Sequence, residues 1–91
     1  MSVLRLVISG RVQGVGYRDW LVKRASRLGL SGWVRNRDDG GVEAVLAGEA
    51  ALVAECLEAC RRGPMLAVVR EIETVELELV VEPGFRRLPT G

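Results

Sequence analysis

The sequence predicts an α+β fold of order β-α-β-β-α-β, a four-stranded antiparallel sheet with two helices on one face. Three observations carry that expectation. Residues 3–12, "VLRLVISGRV", alternate with a period of two, and two later stretches carry apolar residues at helical spacing. Between those helical stretches, "RDDGG" at 37–41 supplies the turn chemistry of a hairpin.

In the first strand Leu4, Leu6 and Ile8 share one face, with Arg5, Val7 and Ser9 on the other. From Tyr17 the period changes, and Tyr17, Trp20, Leu21, Ala25 and Leu28 form a helical stripe with Lys23, Arg24 and Arg27 off it. Gly29 supplies the C-terminal stop, helped by basic residues in the last turns. "SGWVRN" and "GVEAVLAG" are the two arms of the hairpin. The second helix, within "EAALVAECLEACRRG", sets Val53, Cys56, Leu57 and Cys60 on one face and ends at Gly63-Pro64. The last long strand, "VVREIETVELELVVE" at 68–82, gives Val75, Leu77, Leu79 and Val81 one parity and Ile72 the other. That change predicts a bulge or a break. In the Pro/Gly-rich tail Phe85 pins a short edge segment, a possible fifth strand. Right-handed crossovers then give the ferredoxin-like split βαβ arrangement, which by itself hosts many unrelated functions.

Composition limits the function classes. The 91 residues, 48% hydrophobic and 27% charged, fit one globular domain over 1–91. No apolar run reaches the ~18 residues that span a bilayer, and the start lacks a secretion signal. The expected location is therefore the cytoplasm, without a membrane partner. A net charge of +1 leaves no electrostatic footprint for nucleic acid, and a neutral chain with a polar last edge is expected to be a monomer. Cys56 and Cys60 stand four apart, which on a helix separates their Cβ atoms by about 5–6 Å, beyond the roughly 3.5–4.5 Å of a disulfide. They are read as thiols on a buried stripe. With no histidine in the chain, no metal site is expected.

The chemistry-bearing stretch is "GRVQGVGYR" at 10–18, with three glycines and two arginines in nine positions. It joins the first strand to the first helix, where unpaired helical N–H groups carry partial positive charge. Glycines let such groups converge, and Arg18 adds a planar fork suited to phosphate. Two readings stand on the residues alone, a tight turn and an anion cradle. The P-loop and the G-x-G-x-x-G fingerprint both fail here. Asn36, at the end of the second strand, is either a turn residue or a carboxamide that orients water. Asp19 either tunes Arg18 or favours the helix N-terminus through the dipole, and the dipole role is preferred. With no evident nucleophile, direct attack by water suits a phosphate whose leaving group needs no proton. A carboxylate, with a pKa near ~4, qualifies.

Together these stretches resemble the acylphosphatase family. Its signatures have the forms G-x-V-Q-G-V-x-[FY]-R and G-W-V-x-N-x-x-D-G-x-V-E, and the chain reads GRVQGVGYR at 10–18 and GWVRNRDDGGVE at 32–43. The resemblance spans nearly the whole chain and implies the ferredoxin-like fold. It also implies hydrolysis of the carboxyl–phosphate anhydride of a small acyl phosphate, with inorganic phosphate as product and inhibitor. By motif position Arg18 and the backbone N–H groups of Gln13, Gly14, Val15, Gly16, Tyr17 and Arg18 would hold the phosphoryl group. Asn36 would hold the attacking water, with no metal and no cofactor. Tyr17 stands where phenylalanine is commoner, a change that a ring packed under the loop tolerates. Arg37 stands where some members have a hydroxyl, so hydroxyl support for Asn36 is in question. The rival readings are a non-catalytic phosphate-binding module and an accessory domain of a larger carbamoyl-transfer protein.

Overall fold

The computed structural model describes residues 1–91. Its elements are β1 (Ser2–Arg11), α1 (Tyr17–Arg27), β2 (Ser31–Asn36), β3 (Val42–Gly48), α2 (Ala50–Cys60), β4 (Val68–Glu76) and β5 (Phe85–Arg87). The sheet order is β4-β1-β3-β2-β5. β1 pairs antiparallel with both β3 and β4, and β2 antiparallel with β3. These are the four expected strands; β5 extends the sheet as a fifth, parallel to β2. No helix is long and apolar enough to cross a membrane.

Alternation decides which side chains enter the core. Leu6 and Ile8 of β1, Val34 of β2 and Ala44 and Leu46 of β3 are fully buried on the helix-covered face. Tyr17, Leu21 and Ala25 of α1 and Val53, Cys56 and Cys60 of α2 complete the cluster, with Trp20, Leu28 and Leu57 packed at its margin. Both cysteines are free and buried. The hydrogen bond with Cys56, together with burial, pushes the Cys60 thiol well up, so it packs as a neutral group. α1 ends in the expected glycine cap: Gly29 N–H donates to Ser26 O at 3.0 Å and Leu30 N–H to Ala25 O at 2.9 Å.

α2 closes differently. The carbonyls of Leu57, Glu58 and Ala59 accept from the backbone N–H groups of residues 61–63. The carbonyl of Cys60 accepts instead from the buried Tyr17 hydroxyl, at 2.6 Å. Burial pushes the Tyr17 phenol far above its ordinary range, so it stays a donor. Its ring stands edge-on to Trp20 at 5.3 Å and lies against Gly63, where a Cβ would come within 2.6 Å of Tyr17 Cε2. The chain after α2 can turn this close to the ring because residue 63 has no side chain and adopts φ +66°.

The parity change in the last strand resolves into two features. A bulge in β4 opposite Ser9 and Gly10 lets both Val69 and Ile72 pack against the core. The strand then stops at Glu76, short of the expected 82. Leu77 N–H still donates to Val3 O at 2.9 Å, and residues 77–82 leave the sheet plane to cover part of the helix-free face. There Leu77, Leu79 and Val81 line an apolar recess of about 380 Å³ with Trp33 and Val45. Continued in the same register, with Glu76 opposite Leu4, the strand would run out of partner after residue 78, because β1 begins at Ser2.

Beside that recess Glu43, only 5% exposed, is bound by Arg5 Nε at 2.7 Å and Arg35 Nη2 at 2.9 Å. Burial pushes the Glu43 carboxyl up, but the hydrogen bonds from Arg35 and Arg5 prevail and hold it below the usual carboxylate range. The stabilisation is present above the unfolded-state value of 4.5 and is lost as pH falls through the lower folded-state value. Glu43→Gln should therefore flatten the acid limb of a stability-versus-pH curve measured by urea unfolding, leaving the region above pH 6 flat as before. An unchanged acid limb would mean that the cluster is not coupled to folding. Tyr17→Phe should cost about 1–3 kcal/mol in the same measurement, because it orphans the Cys60 carbonyl, and no loss would remove the phenol from the account of α2.

Candidate active site

Sheet register brings three chain segments to one end. Ile8 of β1 lies opposite Val42 of β3, which lies opposite Asn36 of β2. The loop that leaves β1 and the hairpin loop between β2 and β3 therefore emerge side by side, and α1 begins between them and β5. The Gln13 side chain ties the two loops together, its Nε2 donating to Arg37 O at 2.7 Å and to Gly41 O at 2.8 Å. Within the hairpin, Arg37 N–H donates to Gly41 O at 2.9 Å and Asp39 Oδ1 accepts from Gly41 N–H at 3.0 Å. That backbone bond comes first, and the Arg37 guanidinium second, in holding the Asp39 carboxyl below its ordinary range.

Gly14 and Gly16 adopt φ +75° and +80°, the left-handed region that side chains disfavour. Gly16 is also the N-cap of α1, and no side chain caps that helix. Trp20 N–H, bonded to Gly16 O at 3.0 Å, is the first of the helix to find a backbone acceptor. The N–H groups from Gln13 to Asp19 donate to no acceptor in the protein. Here the turn reading and the cradle reading of the glycines part company. A purely structural turn would satisfy its donors internally or cap the helix with a serine, threonine or aspartate. This loop leaves a run of donors together at a positive helix end, the arrangement that attracts an oxyanion.

Five of the seven residues that carry these donors, Gly14, Gly16, Tyr17, Arg18 and Asp19, line a cavity of about 200 Å³ together with Val12, Asn36 and Arg87. Arg18 is half-buried and takes part in none of the ion pairs. The Asn36 side chain is likewise half-buried, with its backbone carbonyl accepting from Gly91 N–H at 3.1 Å. Of the residues singled out in the sequence, Gly14, Gly16, Tyr17, Arg18 and Asn36 therefore share one concavity. Gln13 stands behind it as the clamp, and Val15 packs its side chain against the core. The Arg37 guanidinium turns to Asp39, at 3.1 Å, so the strand end that carries Asn36 is fixed by backbone bonds and by the Gln13 clamp on the Arg37 carbonyl, not by the Arg37 side chain.

Two features went unread in the sequence. The Tyr17 hydroxyl is not merely tolerated; it anchors the loop's last residue to α2. Asp19 neither touches Arg18 nor acts by the dipole alone, since its Oδ1 accepts from Arg87 Nη1 at 2.7 Å. Parity could have found Arg87. Once Phe85 is placed in the core, residue 87 of the same short strand faces the same side. The larger apolar recess lies on the opposite face of the sheet. Its two cations, Arg5 and Arg86, already face Glu43 and Glu82, so it offers a phosphate no convergent donors.

Comparison with known proteins agrees with this geometry. The acylphosphatase family model matches residues 4–87. The chain is 57% identical over 91 residues to an acylphosphatase of Acidiphilium cryptum, covering 100% of both. It is similar to the crystal structure of acylphosphatase from Bacillus subtilis, with a TM-score of 0.93 and 35% identity over 97% of this chain and 99% of that one. It also superposes with a TM-score of 0.90 and 26% identity on 12% of full-length HypF, crystallised in a phosphate- and nucleotide-bound form. By family match, full-length identity and shared fold, the chain belongs to the acylphosphatase family.

Proposed function

We propose that residues 1–91 form a single metal-independent acylphosphatase domain that acts as a monomer in the cytoplasm. It hydrolyses small acyl phosphates to a carboxylate and inorganic phosphate. The observation that carries this reading is the run of acceptor-free N–H groups from Gln13 to Asp19, five of whose seven residues line the cavity that holds Arg18 and Asn36.

The phosphoryl oxygens dock on the N–H groups of residues 13–18, which meet negative charge with fixed dipoles and need little reorganisation during reaction. Arg18 supplies the full positive charge, and its freedom from internal ion pairs leaves both arms of the fork for substrate. Asn36 accepts a hydrogen bond from a water through its carbonyl and so sets the water's oxygen toward phosphorus. The water oxygen forms the new P–O bond as the bond to the acyl oxygen breaks, and that bond's electron pair leaves with the carboxylate. The water's transferred proton goes to a phosphoryl oxygen, so the dianionic substrate and water yield a carboxylate and dihydrogen phosphate. No side-chain base is required, because neither Arg18 nor Asn36 exchanges a proton. The protein's contribution is position and charge, which is what a loose phosphoryl-transfer transition state demands.

Arg18→Gln should lower benzoyl phosphate hydrolysis by at least about 10²-fold and abolish phosphate inhibition, with the melting temperature nearly unchanged. Asn36→Ala should lower kcat by about 10²-fold while phosphate inhibition stays near the wild-type value. Assayed in chelator, loss of turnover without loss of phosphate affinity separates the water-holding role from the anion-binding role. Equal losses in Asn36→Ala would contradict that division. A folded wild type that binds phosphate without turning over any acyl phosphate would leave a binding module.

A further inference from the structure

We propose that Arg87 is a second guanidinium at the substrate site, the group that receives the leaving carboxylate, and that Asp19 is the residue that positions it. This rests on the acyl phosphate reading above and gives a task to a residue that reading does not use.

β5 lies parallel to β2 with Arg87 beside Val34, so its side chain is carried on the sheet edge that faces the start of α1. There Arg87 Nη1 donates to Asp19 Oδ1 at 2.7 Å, and both residues line the cavity with Arg18 and Asn36. A guanidinium carries five N–H donors in a planar fork, and the protein uses one of them here. The ion pair is weakly placed as a stability device. Its side chains are 45% and 65% exposed, and exposed pairs contribute roughly 0–1 kcal/mol. What the contact does achieve is direction, because it holds a mobile side chain at the mouth of the cavity.

The remaining charged donor suits the remaining charge. The loop N–H groups and Arg18 meet the phosphoryl oxygens, and Asn36 meets the water. In-line attack puts the departing oxygen on the far side of phosphorus from that water. As the P–O bond breaks, its electron pair spreads over two equivalent carboxylate oxygens, a planar acceptor that a planar fork matches. The interaction grows with the developing charge, so it favours the transition state over the bound substrate. Apart from Val12 and Tyr17 the cavity lining is not hydrophobic, which leaves the carboxyl group as the part of the acyl moiety that the site can read.

The test is single-turnover hydrolysis of acetyl phosphate and of ring-substituted benzoyl phosphates, from nitro to methoxy. It uses the wild type, Arg87→Gln, Arg87→Lys and Asp19→Asn, with phosphate inhibition and melting temperature measured alongside. Arg87→Gln should slow acetyl and methoxybenzoyl phosphate by about 10- to 100-fold, the loss of one charge-assisted bond, and nitrobenzoyl phosphate much less. Arg87→Lys should recover part of the rate, and Asp19→Asn should fall between wild type and Arg87→Gln. Phosphate inhibition and the melting temperature should not move. A loss uniform across leaving groups, with phosphate inhibition weakened equally, would make Arg87 a phosphoryl ligand and overturn the proposal. Unchanged rates would reduce the pair to a surface contact and overturn it as well. A wild type that hydrolyses none of these substrates would overturn the acyl phosphate reading, and this proposal with it.

Discussion

The Tyr17 ring, buried in the core and tied by its hydroxyl to the Cys60 carbonyl, fixes the part of the molecule on which the rest depends. Tyr17 is at once the last residue of the glycine-rich loop, the first of α1 and a fully packed member of the core. Its ring sets the path of the chain after α2 through Gly63, and its phenol closes the last open carbonyl of that helix. Because Arg18 follows directly, the direction in which the guanidinium leaves the backbone is set by a residue that cannot move without opening the core. The other end of the loop is held by Gln13 on the hairpin. Flexible residues between two anchors produce a rigid cradle with free donors.

Charge is divided along the same line. On the helix-free face Arg5 and Arg35 are spent on one buried carboxylate, Glu43, and stabilise the sheet. At the loop end the helix terminus, the uncapped N–H groups and Arg18 carry positive potential with no internal partner. A near-neutral chain therefore presents a local anion site without a broad basic surface.

Much of this was legible in the sequence, for identifiable reasons. Period-two alternation around Leu6 and Ile8, the helical stripe from Tyr17 and the Asp-Gly and Gly-Gly turn signals are local, so they placed the strands, helices and hairpin. The position of Arg18 and Asn36 followed from motifs at the ends of those elements. Tertiary partners were not local. The Tyr17–Cys60 bond spans 43 residues and Asp19–Arg87 spans 68, and no spacing rule pairs them. The end of β4 at Glu76 escaped for a related reason. Leu77, Leu79 and Val81 alternate like a strand, but the surface they bury lies across the sheet and not beside β1.

The central claim is that backbone amides of the loop, joined by Arg18, form the anion site. The most direct measurement is a titration of the ¹⁵N-labelled protein with inorganic phosphate in chelator, following every backbone amide by NMR. The account predicts that the largest shifts fall on the amides from Gln13 to Arg18 and saturate along one binding curve. Smaller changes should appear at Asn36 and Asp19. Shifts that instead cluster around Arg5, Arg35 and Arg37, or scatter without saturating, would contradict it.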